Sequence, residues 1–81
     1  MKVKVFLFAQ LRELLREDEL CLEAQAPLSC KDAAFQLAQR YPGIAGLLKQ
    51  CIVACNGVLV PADTILKDGD EMALLPPVSG G

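Results

Sequence analysis

Only one stretch of this chain carries both the start signal and the spacing of a full helix, and that limits what can be built around it. Pro27 interrupts the preceding pattern, and Ser29 with Asp32 supplies a Ser-x-x-Asp capping signature. Behind it, Cys30, Ala34, Leu37, Ala38 and Tyr41 share one helical stripe, with Asp32, Gln36, Gln39 and Arg40 opposite. Pro42-Gly43 ends the helix, and Ile44, Leu47 and Leu48 are spaced for one further helical turn.

The flanking segments are short and mostly strand-like. Val3, Val5 and Leu7 alternate with Lys2, Lys4, Phe6 and Phe8, which puts the first set toward a core and both phenylalanines on the other face. Leu11, Leu14 and Leu15 give a short helix over Gln10 to Arg16, and Leu20 and Leu22 alternate with Glu19, Cys21 and Glu23. The two strands therefore form a hairpin-like pair with a widened connection. After the long helix, Cys51 to Cys55 has strand length, Asn56-Gly57 is a hairpin turn, and Val58-Leu59-Val60 returns. Asp68-Gly69 makes a second turn before the strand Asp70 to Leu75.

The order is β-α-β-α-β-β-β, with the first helix minor. It predicts an α+β domain over residues 1–81, a mixed sheet packed on one main helix. A ubiquitin-like β-grasp satisfies this order, with the first and last strands side by side at the sheet centre. A ferredoxin-like fold needs a second long helix, which the sequence lacks. With 81 residues, every apolar element must share one core.

Hydrophobic residues make up 53% of the chain, so apolar surface should remain for a partner once the core is filled. The last strand says where. Met72 and Leu74 point one way, Ala73 and Leu75 the other, and a sheet covered on one face by its helix should be polar on the other. Leu75, Phe6, Phe8 and a residue of Val58-Leu59-Val60 break that rule, and they predict an exposed patch on adjacent strands. A net charge of −2 argues against a nucleic-acid partner. No apolar run reaches membrane-spanning length, and Met1-Lys2-Val3-Lys4 alternates instead of opening a signal peptide, so a cytoplasmic location is expected. Cys21, Cys30, Cys51 and Cys55 are expected to be reduced, small buried hydrophobes. With no histidine and no Cys-x-x-Cys, no metal site is expected.

The chain closes on Pro76-Pro77-Val78-Ser79-Gly80-Gly81. At an average glycine usage of about 7%, a random chain would end Gly-Gly roughly one time in two hundred. Extended, residues 76–81 reach about 20 Å, enough to carry a carboxylate into a pocket on another protein. The glycines let the chain enter a narrow channel, and Pro76-Pro77 stiffens the exit from the sheet and limits the entropy lost on insertion.

Phe8-Ala9-Gln10-Leu11-Arg12-Glu13-Leu14, Asn56-Gly57-Val58-Leu59-Val60, Leu66-Lys67-Asp68-Gly69-Asp70-Glu71 and Leu74-Leu75-Pro76-Pro77-Val78-Ser79-Gly80-Gly81 occur in this order along the chain. Together they resemble the family of small, sulfur-carrying subunits of molybdopterin synthase. The first segment and the Pro-Pro-Val-Ser-Gly-Gly ending are specific, whereas the Asp-Gly-Asp-Glu turn is shared by many β-grasp domains. The resemblance implies a ubiquitin-like β-grasp whose Gly81 carboxylate is adenylated at the expense of ATP by a ubiquitin-activating-enzyme-like adenylyltransferase. A persulfide-derived sulfur then displaces AMP and leaves a thiocarboxylate. The tail (Gly80, Ser79, Val78, Pro77 and Pro76 leading to Gly81) inserts into the large subunit of the synthase. There the sulfur attacks a cyclic pyranopterin monophosphate precursor and helps to build the molybdopterin dithiolene. The resemblance also implies a heterotetramer, no bound cofactor, and catalytic residues on the large subunit. Phe8, Leu59 and Leu75 match hydrophobic interface positions of the family, and Leu74 and Leu75 stand where aromatics can occur in relatives. A carrier for another pathway such as thiazole synthesis, a ubiquitin-like protein modifier, and a β-grasp interaction module are the rival uses.

Overall fold

A computed structural model describes residues 1–77, and expectations placed on Val78, Ser79, Gly80 and Gly81 lie outside the described residues. The chain runs β1 (Lys2–Leu7), α1 (Ala9–Leu15), β2 (Glu19–Glu23), β3 (Leu28–Ser29) and α2 (Cys30–Arg40). A 3₁₀ turn (Pro42–Ile44) and α3 (Ala45–Leu48) lead to β4 (Ile52–Cys55), β5 (Val58–Val60), β6 (Ile65–Leu66) and β7 (Glu71–Leu75). The main sheet has the order β2-β1-β7-β4-β5, with β1 and β7 parallel at its centre and the other pairs antiparallel. This is the ubiquitin-like β-grasp: a mixed sheet closed on one main helix, with its first and last strands as central neighbours.

The alternation in β1 is the reason it can lie at the centre. Val3, Val5 and Leu7 are buried and face α2, as do Met72 and Leu74 of β7. Leu37, Cys30 and Ala33 of α2, together with Leu11, Leu22, Ile44 and Leu48, complete that cluster. Each fully buried leucine contributes roughly 1.5–3 kcal/mol of transfer free energy, so the shared face is the main source of stability.

Helix α2 begins where its capping signature lies. The Asp32 backbone N–H donates to Ser29 Oγ at 3.0 Å, and the Ser29 N–H donates to Asp32 Oδ2 at 3.2 Å. Its buried line is Cys30, Ala33 and Leu37, not the line through Ala34 expected from spacing alone. Ala34 and Ala38 instead border a groove of about 600 Å³ between α2, α3 and the start of β4, which leaves that flank of the helix half-covered. The two-residue strands β3 and β6 form a separate small ladder, Leu28 opposite Leu66 and Ser29 opposite Ile65. They are too short to register as a period in sequence.

Phe8 is a correction. It lies beyond β1, in an extended conformation (φ −128°, ψ 158°), and its carbonyl accepts hydrogen bonds from Leu11 N at 3.1 Å and Arg12 N at 3.5 Å at the start of α1. Ala9, at φ 50°, turns the chain there, so the alternation of β1 stops at Leu7. Cys21 is the other departure. It sits exposed on β2 opposite Lys4, whereas Cys30 is buried and Cys51 and Cys55 are half-buried; all are free thiols.

Candidate functional site

The helix covers only one face of the sheet, and the register fixes what the other face presents. Moving across from β2, one row reads Glu19, Phe6, Ala73, Ala54 and Leu59. The next row toward the end of β7 pairs Leu75 with Ile52. On the opposite side, Lys4 stands beside Glu71 and Cys21. The face is thus charged at one end and apolar at the other, and the apolar end is where β7 hands over to Pro76.

The residues expected there are largely brought together. Leu59 is 65% exposed on edge strand β5, and Phe8 is 45% exposed one step past the paired residues Leu7 and Leu74. Leu75 is half-buried because Ile52 lies directly beside it. Phe6 is also half-buried, with the Lys4 ammonium 5.9 Å from its ring centroid, an outward-face contact. Pro76 is buried, so the chain is still held by the domain at that point, and Pro77 is its first exposed residue past β7. The stiffening expected of both prolines therefore divides between an anchor and an exit.

Sequence reasoning missed Ile52, which is 57% exposed. It read as one more apolar residue of a buried run, and only its pairing with Leu75 across β4 and β7 reveals it as part of the patch. Val58 is exposed as well, at the tip of the β4–β5 hairpin.

Two of the motifs behind the family resemblance fix the charged end of this sheet. Asn56 and Gly57 take φ values of 50° and 84°, as a two-residue hairpin turn requires, and Gly69 takes 86° in the second turn. The Asp70 carboxylate ties these turns together. It accepts from Lys67 N at 2.8 Å, Asn56 Nδ2 at 3.1 Å and Cys55 Sγ at 3.7 Å, while Asn56 Oδ1 accepts from Glu71 N at 3.0 Å. Lys2 N donates to Asp68 Oδ1 at 2.7 Å, which fixes the same loop to β1. The Asp-Gly-Asp-Glu segment is therefore the clamp that sets β7 between β1 and β4.

The Lys67 N–H, then the Asn56 amide, hold the Asp70 carboxyl below the usual aspartate range. Its folded-state value lies below its unfolded one, so its contribution is present in full above the ordinary aspartate value. It is lost as pH falls through the lower, folded value. We expect the urea midpoint of the parent chain to drop between about pH 5 and about pH 2, and Asp70→Asn to start less stable and lose less over that range. Equal slopes would remove Asp70 from the acid response.

Cys30, Cys51 and Cys55 are poorly suited to carrying sulfur. Burial pushes the thiols of Cys30, Cys51 and Cys55 up, and for Cys30 and Cys55 the nearby Asp70 charge adds to it. A raised thiol pKa lowers the thiolate fraction, the form that attacks. What the site offers is an uncovered apolar face that adjoins Pro76, where β7 hands over to the following residues.

The ThiS family profile matches residues 5–81. The chain is 37% identical over 83 residues to the molybdopterin synthase sulfur carrier subunit of Chlamydomonas reinhardtii, with 100% of both chains covered. Among solved structures it is similar to SAMP1 of Haloferax volcanii (TM-score 0.87, 26% identity, 100% of both chains covered). It is also similar to a chain in the complex of subunits 1 and 2 of molybdopterin-converting factor from Helicobacter pylori (TM-score 0.70, 33% identity, 100% of both chains). Among the described residues, no helix is long and apolar enough to cross a membrane.

Proposed function

The chain belongs to the ThiS family, and from that premise we propose that it is the sulfur carrier subunit of a molybdopterin synthase. The observation that carries the reading is that one strand, β7, joins an uncovered apolar face to the segment ending in Gly80-Gly81. A carboxylate at neutral pH is ionised and a poor electrophile, so sulfur can enter at Gly81 only after activation. In this reading an adenylyltransferase uses ATP to form the Gly81 acyl-adenylate and releases pyrophosphate. The terminal sulfur of a persulfide donor displaces AMP to give an acyl disulfide, and a second thiol cleaves that S–S bond, leaving the Gly81 thiocarboxylate and a disulfide.

The large subunit of the synthase then covers Phe8, Leu59, Leu75 and Ile52, and takes in the residues that follow Pro76. Docking on the sheet face brings the thiocarboxylate to a cyclic pyranopterin monophosphate held by the large subunit, where the dithiolene is built. The carrier needs no cofactor of its own, and its general acids and bases belong to its partners. A cytosolic site of action goes with this reading, because adenylation draws on ATP.

Intact-mass measurement of the protein from its native host is the test. We expect a species heavier by the exchange of one oxygen for sulfur, which reverts on incubation with the precursor and the large subunit. Recovery of the chain in isopeptide conjugates with other proteins, with no thiocarboxylate form, would favour the modifier use instead.

A further inference from the structure

The helix side of the sheet carries an opening that sulfur transfer does not use. The groove between α2, α3 and the start of β4 holds about 600 Å³, within the roughly 300–1,000 Å³ common to small-molecule sites. Leu48, Val53 and Leu74, all buried, form its floor, and Phe35 stands 62% exposed at its rim. Helix α2 faces the space with Ala34 and Ala38, whose methyl groups are too small to close it.

Both ends of the groove are held by hydrogen bonds. Cys30 N donates to Thr64 O at 2.9 Å and Lys31 N to Ala62 O at 2.8 Å, which ties the start of α2 to the loop after β5. Cys51 N donates to Leu48 O at 3.2 Å and Cys51 Sγ to Leu47 O at 3.4 Å, which fixes the passage from α3 into β4. The walls are thus set before any ligand arrives.

Charge says what fits. The chain as a whole carries −2, yet among the described residues lining the groove the only charged ones are Lys31 and Lys49, both exposed. Apolar walls with two ammonium groups at the mouth match a molecule with an apolar body and an anionic end. The chain's own end is a poor occupant, since Val78 is the only large apolar residue after Pro77. A second copy fits no better, because groove against groove gathers four lysines with no acid lining either side.

We propose that this groove binds a small amphipathic carboxylate of the medium-chain fatty acid class, its chain against Leu48, Val53 and Leu74 and its carboxylate held by the lysines at the mouth. The inference is independent of the carrier reading. Leu74 and Leu75 face opposite sides of β7, so a ligand against Leu74 leaves the face of Leu75 and Ile52 free for a protein partner.

The test is titration of decanoate, kept below micelle formation, into the isotope-labelled full chain, followed by NMR. We expect the amides of Ala34, Ala38 and Cys51 to shift saturably, and those of Phe6 and Leu59 on the outer face to stay in place. Lys31→Glu combined with Lys49→Glu should weaken binding about tenfold, and both changes fall on exposed side chains that the fold does not need. Ala38→Leu, a good helix former, fills the groove and should also weaken binding, while the melting temperature holds or rises. Equal shifts on both faces, no saturation, or an unchanged affinity in the double lysine variant would overturn the proposal. Groove amides that move on simple dilution of the free chain would overturn it too, since they would mark a second copy seated there. None of these outcomes touches the carrier reading, which the intact-mass measurement decides by itself.

Discussion

A chain extended by one residue after Gly81 is expected to fold like its parent and to pass on no sulfur. The reason is covalent. Extension turns the Gly81 carboxylate into an amide, which cannot be adenylated, and carries the free carboxylate roughly 3.3–3.6 Å further on, out of register with the reacting groups of the partners. Deletion of Gly81 gives the same result by a different route. It leaves a carboxylate, but one drawn back by roughly 3.3–3.6 Å, and displacements near 1 Å at a reacting atom already cost about 10²-fold. The core cluster is built from residues between Val3 and Leu74, so the expected shift in stability is within about 0.5 kcal/mol, a few degrees in melting temperature at most. The measurement is conversion of the pyranopterin precursor by the reconstituted synthase, with circular dichroism on the same samples. Product formed by the extended chain would sink the thiocarboxylate mechanism.

Leu74 and Leu75 are adjacent in sequence and opposite in consequence. Leu74 is 1% exposed and packed with Met72, Val5 and Leu7 against α2, so Leu74→Glu places a carboxylate where no counter-charge exists. The expected cost exceeds about 4 kcal/mol, a large part of the 5–15 kcal/mol that holds a domain together, and the variant should be mostly unfolded at 37 °C. Leu75 turns the other way, beside Ile52. Leu75→Glu should cost about 1 kcal/mol, or roughly 4–8 °C in a domain of this size. Its affinity for the large subunit should drop about 30-fold, the effect of losing some 2 kcal/mol at an interface anchor. Thermal melts and titrations on the two variants decide it. If Leu75→Glu melts as low as Leu74→Glu, the outer face has been assigned wrongly.

The contrast shows how the fold was readable. Period-2 alternation separated Leu74 from Leu75, and Val5 from Phe6, without any knowledge of neighbours, because successive side chains on a strand point to opposite faces. The Ser29–Asp32 box marked the helix start because its hydrogen bonds are local. Asn56-Gly57 marked a hairpin because both residues take positive φ. Local signals failed where a constraint came from elsewhere. Ala33 displaced Ala34 from the core because the groove beside α3 lies along that flank, and Phe8 left the strand because its carbonyl caps α1.

The sequence by itself determined the longer elements, the faces of β1 and β7, the family, and the chemical character of the Gly80-Gly81 ending, since each depends on residues close together along the chain; β3 and β6 left no such signal. Tertiary structure alone decided which apolar residues form one surface. Ile52 meets Leu75, and Ala54 lies between Ala73 and Leu59, only through the antiparallel registers of β4 with β7 and β5. Those registers are set by packing β7 between β1 and β4 and by the Asp70 clamp on the Asn56 turn. Contacts between residues some twenty positions apart, such as Ile52 with Leu75, leave no period in a sequence, so Phe8, Leu59 and Leu75 could be foreseen on the apolar face but Ile52 and the arrangement of the face could not.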